Sequence, residues 1–171
     1  HAMTDLTICP VRTPDDIAEA TRLTWAFFDA TRKRFPEMSA DADAYIITNN
    51  VAGKLARFTD HYAPPNGECL LARLDGAAVG TLMLQPHSDG VCEMNRMFVD
   101  PKARGHGIGR KLCLALLQSA RDLGYARMRL DTLRQMTEAL TLYRSVGFAE
   151  VSEPLAFGAD HPQAVQMLIT L

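Results

Sequence analysis

A chain of 171 residues, 47% of them hydrophobic and 22% charged, has enough apolar material for one globular domain with a sizeable core. Its formal net charge of −2 supplies no basic field for nucleic acid or a membrane surface, and no apolar run approaches the ~20 residues that span a bilayer. The four cysteines, at 9, 69, 92 and 113, lie in apolar runs without CxxC spacing, and the five histidines are scattered, so free buried thiols in a reducing cytoplasm are expected and no metal site.

His1-Ala2-Met3 reads as a tag remnant with Met3 the natural start, nothing after it reads as a signal peptide, and a single domain is expected over 4–171. "LTICPVR" (6–12) is a short strand. Thr13 then offers an N-cap, Pro14 suits the first helical position, and Asp15 and Asp16 stand in the first turn of a helix running to about Arg32. The basic run Arg32-Lys33-Arg34 fits a solvated helix end. A second helix follows Ser39, its Ile47, Val51, Leu55, Phe58 and Tyr62 spaced to form one buried stripe. "PPNG" (64–67) stops it.

Three strands come next, "ECLLARL", "AAVGTLMLQ" and "VCEMNRMFV", separated by Asp75-Gly76 and Asp89-Gly90, pairs that accept the positive φ of tight hairpins. After this antiparallel meander the chain alternates: a helix over 107–123, the strand "ARMRLDT", a helix over 137–146, and strands near 148–152 and 164–170. Gly124 and Gly147 stand where helix C-termini favour a left-handed residue. A meander followed by βαβ units makes an α/β domain with a mixed sheet.

"ARGHGIGRK" (103–111) places glycines at alternate positions where an amphipathic helix begins. A Walker A loop fails, because Lys111 precedes Leu112 and Gly109 precedes Arg110. A dinucleotide fingerprint needs Gly-x-Gly-x-x-Gly directly after a strand, whereas here the spacing is Gly-x-Gly-x-Gly and Asp100-Pro101-Lys102-Ala103 intervenes. Asp131, 22 residues past Gly109, stands near where a ribose-binding acid belongs and leaves a nicotinamide-dependent oxidoreductase as an outside alternative. The context suits a third reading. Bare amides at a helix N-terminus, the helix dipole and flanking arginines hold a pyrophosphate, while Ile108, Leu112, Leu116, Ala120 and Leu123 bury the helix against the sheet.

At these residues the sequence resembles the GCN5-related N-acetyltransferases (GNAT). Arg104-x-x-Gly107-x-Gly109 after the strand end Met97-Phe98-Val99 matches that family's acetyl-CoA signature, and "ALTLYRSVGF" (139–148) matches its second familiar stretch. The order of elements agrees along nearly the whole chain. The resemblance implies a mixed, mostly antiparallel central sheet flanked by helices, with acetyl-CoA as cosubstrate. It implies that the backbone around Met97, Phe98 and Val99 pairs with the pantetheine arm. The loop Arg104, Gly105, His106, Gly107, Ile108, Gly109 and Arg110 takes the pyrophosphate. The thioester lies where the strand 126–132 splays from its neighbour, and an amine attacks it without a covalent enzyme intermediate.

The family's proton donor to the departing thiolate falls on Tyr143, whose phenol stays protonated at neutral pH; an aromatic beside Leu140 and Val146 would otherwise be core. Glu93 is the candidate general base, six residues before Val99 where histone-acetylating relatives carry theirs; the alternatives are a structural pair with an arginine, or proton transfer through water. Strand alternation would place Glu93, Asn95, Met97 and Val99 on one face, with Cys92, Met94, Arg96 and Phe98 on the other. Arg96 could meet an acidic group of the substrate, or Glu153 or another structural acid. Asp131 could steer an ammonium or cap the turn after its strand. His106 is expected to be exposed.

Trp25 and Phe28, with Tyr45, Asn49 and the stretch 156–163, are candidates for the acceptor site, though helical spacing also suits each aromatic to the core. The reading is therefore an acetyl-CoA-dependent N-acetyltransferase for a primary amine of a small molecule. A protein or peptide N-acetyltransferase, which would need an open groove beside Glu93, and a non-catalytic acyl-CoA sensor are the alternatives. No nucleic acid or membrane partner is expected, and a homodimer is plausible for this fold.

Overall fold

The computed structural model describes residues 5–152 and 162–171. Strand β1 (Leu6–Pro10) leads to helix α1 (Pro14–Arg34). A capping box starts α1: the Asp16 amide donates to Thr13 Oγ1 at 3.1 Å and the Thr13 amide to the Asp16 carboxylate at 3.2 Å. The second helical region is three short helices, α2 (Ser39–Thr48), α3 (Val51–Ala56) and α4 (Phe58–His61). Here the single stripe expected from spacing is corrected. Asn50 adopts a left-handed φ of 48°, which an asparagine tolerates, and turns the axis between Ile47 and Val51. Val51, Leu55, Phe58 and Tyr62 are buried as expected, but Ile47 is 79% exposed.

Strands β2 (Glu68–Leu74), β3 (Ala77–Ser88) and β4 (Val91–Val99) form the meander. Asp75 and Gly76 both take positive φ in its first turn. Helix α5 (Ile108–Asp122), strand β5 (Arg127–Leu133), helix α6 (Thr137–Val146) and strands β6 (Ala149–Glu150) and β7 (Ala164–Thr170) complete the fold. The sheet runs β1-β2-β3-β4-β5-β7-β6 and is antiparallel except between β4 and β5. That one parallel pair removes the doubly wound dinucleotide reading.

Each face of the sheet carries its own core. On one, Leu70, Leu82, Leu84, Met94, Met128 and Leu130 meet Leu112, Leu116 and Leu117 of α5 and Leu140 of α6. On the other, Cys69, Leu71 and Met83 meet Leu23 and Phe28 of α1, Val51 and Leu55 of α3, and Phe58 of α4. Period-two alternation along β2 and β3 sorts these sets. Burial on both sides makes β4 the strand around which the site is organised.

Candidate active site

Strand β4 does not alternate cleanly. Thr81 pairs with Phe98 and Met83 with Asn95, so β4 carries one more residue than β3 between these rungs. Arg96 sits in that β-bulge with φ 58°, a left-handed value rare for a residue without special cause. The bulge changes the face assignment. Met97 and Val99 pack with Cys92 and Met94 on the α5 side, whereas Glu93, Asn95 and Arg96 make their contacts on the other. The expectation that Glu93 and Asn95 share a face with Met97 and Val99 is thereby corrected, and so is the pairing of Arg96 with Cys92 and Met94.

Beside the bulge the sheet opens. Strands β4 and β5 pair only at Val91–Arg127, Cys92–Met128 and Glu93–Arg129. At that last rung a polar chain begins. Lys54 Nζ donates to Gln85 Oε1 at 3.2 Å, Gln85 Nε2 to Asn95 Oδ1 at 2.7 Å, and Asn95 Nδ2 to Glu93 Oε1 at 3.1 Å. Arg129, 1% exposed, lies 3.3 Å from Glu93 and also hydrogen-bonds Asp131. Asp131 thus belongs to an ion pair; desolvation pushes its carboxyl above the usual range, with Arg129 opposing. Lys54, Gln85 and Arg129 were not singled out in the sequence. The available signal was an arginine in the apolar strand β5, matching the glutamate in β4.

Arg96 is buried, 6% exposed. Its Nη1 donates to Tyr62 Oη at 2.8 Å and lies 3.4 Å from Met83 Sδ. Phe28 is 3% exposed, packed among Trp25, Phe27 and Tyr45 at ring distances of 6.0, 5.1 and 6.0 Å. It offers a substrate almost no surface, so its expected place as a wall is corrected to a core one; Trp25 is half-buried at the edge of the same cluster. Asn49 donates to the Tyr45 carbonyl within its own helix end. Glu153 and residues 156–161 lie outside the described residues.

On the α5 side the glycine loop leads into α5 beside β4, with Met97 Sδ 3.6 Å from where a Cβ on Gly109 would stand. Gly105 and Gly107 take φ 89° and 68°, with nothing within 4 Å of where a Cβ would stand. Gly107 brings no side chain to cap α5, so the first-turn amides are left uncapped. Gly109 answers a different need, since a Cβ there would lie 3.2 Å from Leu142 of α6. Arg104, His106 and Arg110 are exposed, and Arg110 ties the loop to α6 through Ser145 Oγ at 2.9 Å. Uncapped amides, open space and two arginines fit a pyrophosphate.

Tyr143, one helical position past Leu142, is 7% exposed and stands edge-on to Phe148 at 5.9 Å. Burial pushes its phenol above the ordinary range.

The sequence model of the acetyltransferase (GNAT) family matches residues 24–148. The chain belongs to the GNAT acetyltransferases. An uncharacterised N-acetyltransferase of Schizosaccharomyces pombe is 33% identical over 152 residues, 88% of this chain and 86% of that protein. A GNAT-family acetyltransferase of Staphylococcus aureus has the same fold at TM-score 0.73 and 20% identity, covering 98% of this chain and 99% of that one. So does the paiA N-acetyltransferase of Thermoplasma acidophilum, solved with coenzyme A, at TM-score 0.69 and 15% identity over 98% and 99%. The protein is an acyl-CoA-dependent N-acyltransferase of the GNAT family. No helix among the described residues is long and apolar enough to cross a membrane.

Proposed function

We propose that this GNAT enzyme acetylates a primary amine of a small molecule, the amine attacking directly in a ternary complex with acetyl-CoA. The observation that carries the reading is the bulge at Arg96 beside the β4–β5 opening. It turns Met97 and Val99 toward the glycine loop and turns Glu93, Asn95 and Arg96 toward the polar cluster, so donor and acceptor approach one gap from opposite faces.

Acetyl-CoA, when bound, supplies an acetyl group activated as a thioester. The amides at 104–110 hold its pyrophosphate and the β4 backbone at 97–99 its pantetheine arm. Glu93 is the base that takes the proton from the attacking ammonium, its carboxylate oriented by Asn95 and Arg129. Tyr143 is the acid that returns a proton to the sulfur. Three of the four thiols, Cys69, Cys92 and Cys113, are pushed by burial up to about 12, which makes them poor nucleophiles and supports transfer without an acyl-cysteine.

Enclosure favours a small acceptor over a peptide. Glu93 has 19% of its side chain exposed, Arg129 1%, and Arg96 is shut in by Tyr62. A protein substrate requires an open groove there. The test is calorimetric titration with acetyl-CoA, then thiol release with a panel of amines and with lysine-containing peptides. Binding that Gly107→Trp abolishes, with turnover on amines and not on peptides, is the expected result. Turnover on peptides alone moves the acceptor to protein, and binding without any turnover makes the protein an acyl-CoA sensor.

A further inference from the structure

Arg96 is a buried cation without an anion. Its Nη1 is engaged by Tyr62, and the guanidinium lies 5.8 Å from the centre of the Tyr62 ring. Its Nε and Nη2 are buried and make no hydrogen bond of good geometry, the Tyr45 hydroxyl being the neutral group that faces the guanidinium, and no carboxylate among the described residues lies within 4 Å of it. Both nearby acids are committed elsewhere, since Glu93 and Asp131 flank Arg129. With Lys54 the cluster holds three cations against two carboxylates, an excess of one positive charge around two buried guanidinium groups.

The two free groups are chemically specific. Nε and Nη2 form one edge of the guanidinium, the pair that a carboxylate engages with two parallel N–H···O bonds. Fold stability alone gives no reason to leave that edge without a carboxylate, because a buried donor that lacks a well-placed acceptor is costly. The bulge adds a second oddity, for it holds Arg96 at positive φ and so keeps the side chain on the Glu93 side of the strand.

Resting on the function proposed above, we infer that the acceptor is an amine that also carries a carboxylate, an amino acid, with its carboxylate on the Nε–Nη2 edge of Arg96 and its amine at Glu93. Both groups bear electrostatically on Tyr45, Lys54 and Tyr62, as expected if they face a common space. Tyr45, which faces the guanidinium, is carried by α2, a helix without a fully buried residue that meets the core through half-buried Ile46 and the packing of Tyr45 on Phe28. Movement of α2 with Tyr45 uncovers the Arg96 edge, and the incoming carboxylate supplies the missing negative charge.

The experiment compares matched pairs with the unaltered enzyme: free amino acids against their carboxamides, with thiol release as readout and acetyl-CoA affinity measured alongside. At least one acid is expected to exceed its amide by about 100-fold in kcat/KM. Arg96→Met is expected to raise the KM of that acid by a similar factor while acetyl-CoA affinity stays within about twofold. Amides turned over as well as acids overturn the inference and leave the acetyltransferase reading intact. Acetyl-CoA binding with no turnover of either member of any pair also overturns it, by placing the acceptor in another class. If acetyl-CoA does not bind, the underlying reading fails first. Because the paired comparison needs no variant, a misfolded Arg96→Met does not blunt it.

Discussion

Arg129 Nη1 lies 3.3 Å from Glu93 Oε1 across the last rung that joins β4 to β5. The same guanidinium holds Asp131, so one buried cation serves two carboxylates where the sheet begins to open. Removing it strands both. Arg129→Met is expected to destabilise the fold by about 3–5 kcal/mol in urea unfolding at neutral pH. Arg129→Lys should recover part of this, since an ammonium keeps the charge but not the planar fork. A loss below about 1 kcal/mol would mean that solvent already screens the cluster.

Tyr143 is expected to separate chemistry from folding. Its hydroxyl has no hydrogen-bond partner among the described residues, so Tyr143→Phe should barely change the melting temperature. If the phenol protonates the leaving sulfur, kcat falls about 100- to 1,000-fold with the KM for the amine little changed. Burial raises its pKa above the ordinary range, so the proton stays on the oxygen through neutral pH and is lost only in strong alkali. Stopped-flow thiol release, measured from pH 6 upward, checks both points. Unchanged kcat would reduce Tyr143 to a core aromatic packed on Phe148.

Most of the fold was legible because its signals are local and periodic. The meander boundaries at 68–74 and 91–99 follow from apolar-rich runs set off by Pro64-Pro65-Asn66-Gly67, Asp75-Gly76, Asp89-Gly90 and Asp100-Pro101, and α1 begins at its capping box. Two features were hidden for one physical reason. Asn50 and Arg96 each adopt positive φ without being glycine, and nothing adjacent in the sequence announces that choice. The first split a helix and exposed Ile47; the second switched faces in the strand that carries Glu93. Arg129 was also hidden, because its significance depends on strands β4 and β5 becoming neighbours across a helix. The glycine loop was legible as a motif, though the separate purpose of Gly109 required knowing where α6 packs.

That difference among the glycines is itself testable. Gly107→Ala meets no obstruction but must hold a left-handed φ, at a cost of about 1–2 kcal/mol. Relief of that strain reshapes the amides, so acetyl-CoA affinity should fall by about tenfold in calorimetry. Gly109→Ala has ordinary helical backbone but presses Leu142 from 3.2 Å, next to Tyr143. It should lower kcat more than it lowers affinity. Equal effects of the two substitutions on binding, with kcat untouched, would argue against this division.

Asp16 supplies a pH signature far from the site. Its carboxylate accepts the Arg12 and Thr13 amides, each at 3.2 Å, and the Arg73 guanidinium at 2.9 Å. The Arg12 amide foremost, with Thr13 and Arg73, holds the carboxyl down to about 2 against desolvation, from an ordinary value of 3.8. The folded value is the lower one, so the unfolded chain takes up the proton first as pH falls. The contribution to stability is therefore complete above about pH 4 and disappears as pH drops through about 2. With partial solvent screening it amounts to about 1–2 kcal/mol. Asp16→Asn should lose that much in urea unfolding at pH 7, and the gap from the parent should narrow between pH 4 and pH 2. A gap that stays constant down to pH 2 would assign the loss to the geometry of the capping box rather than to charge.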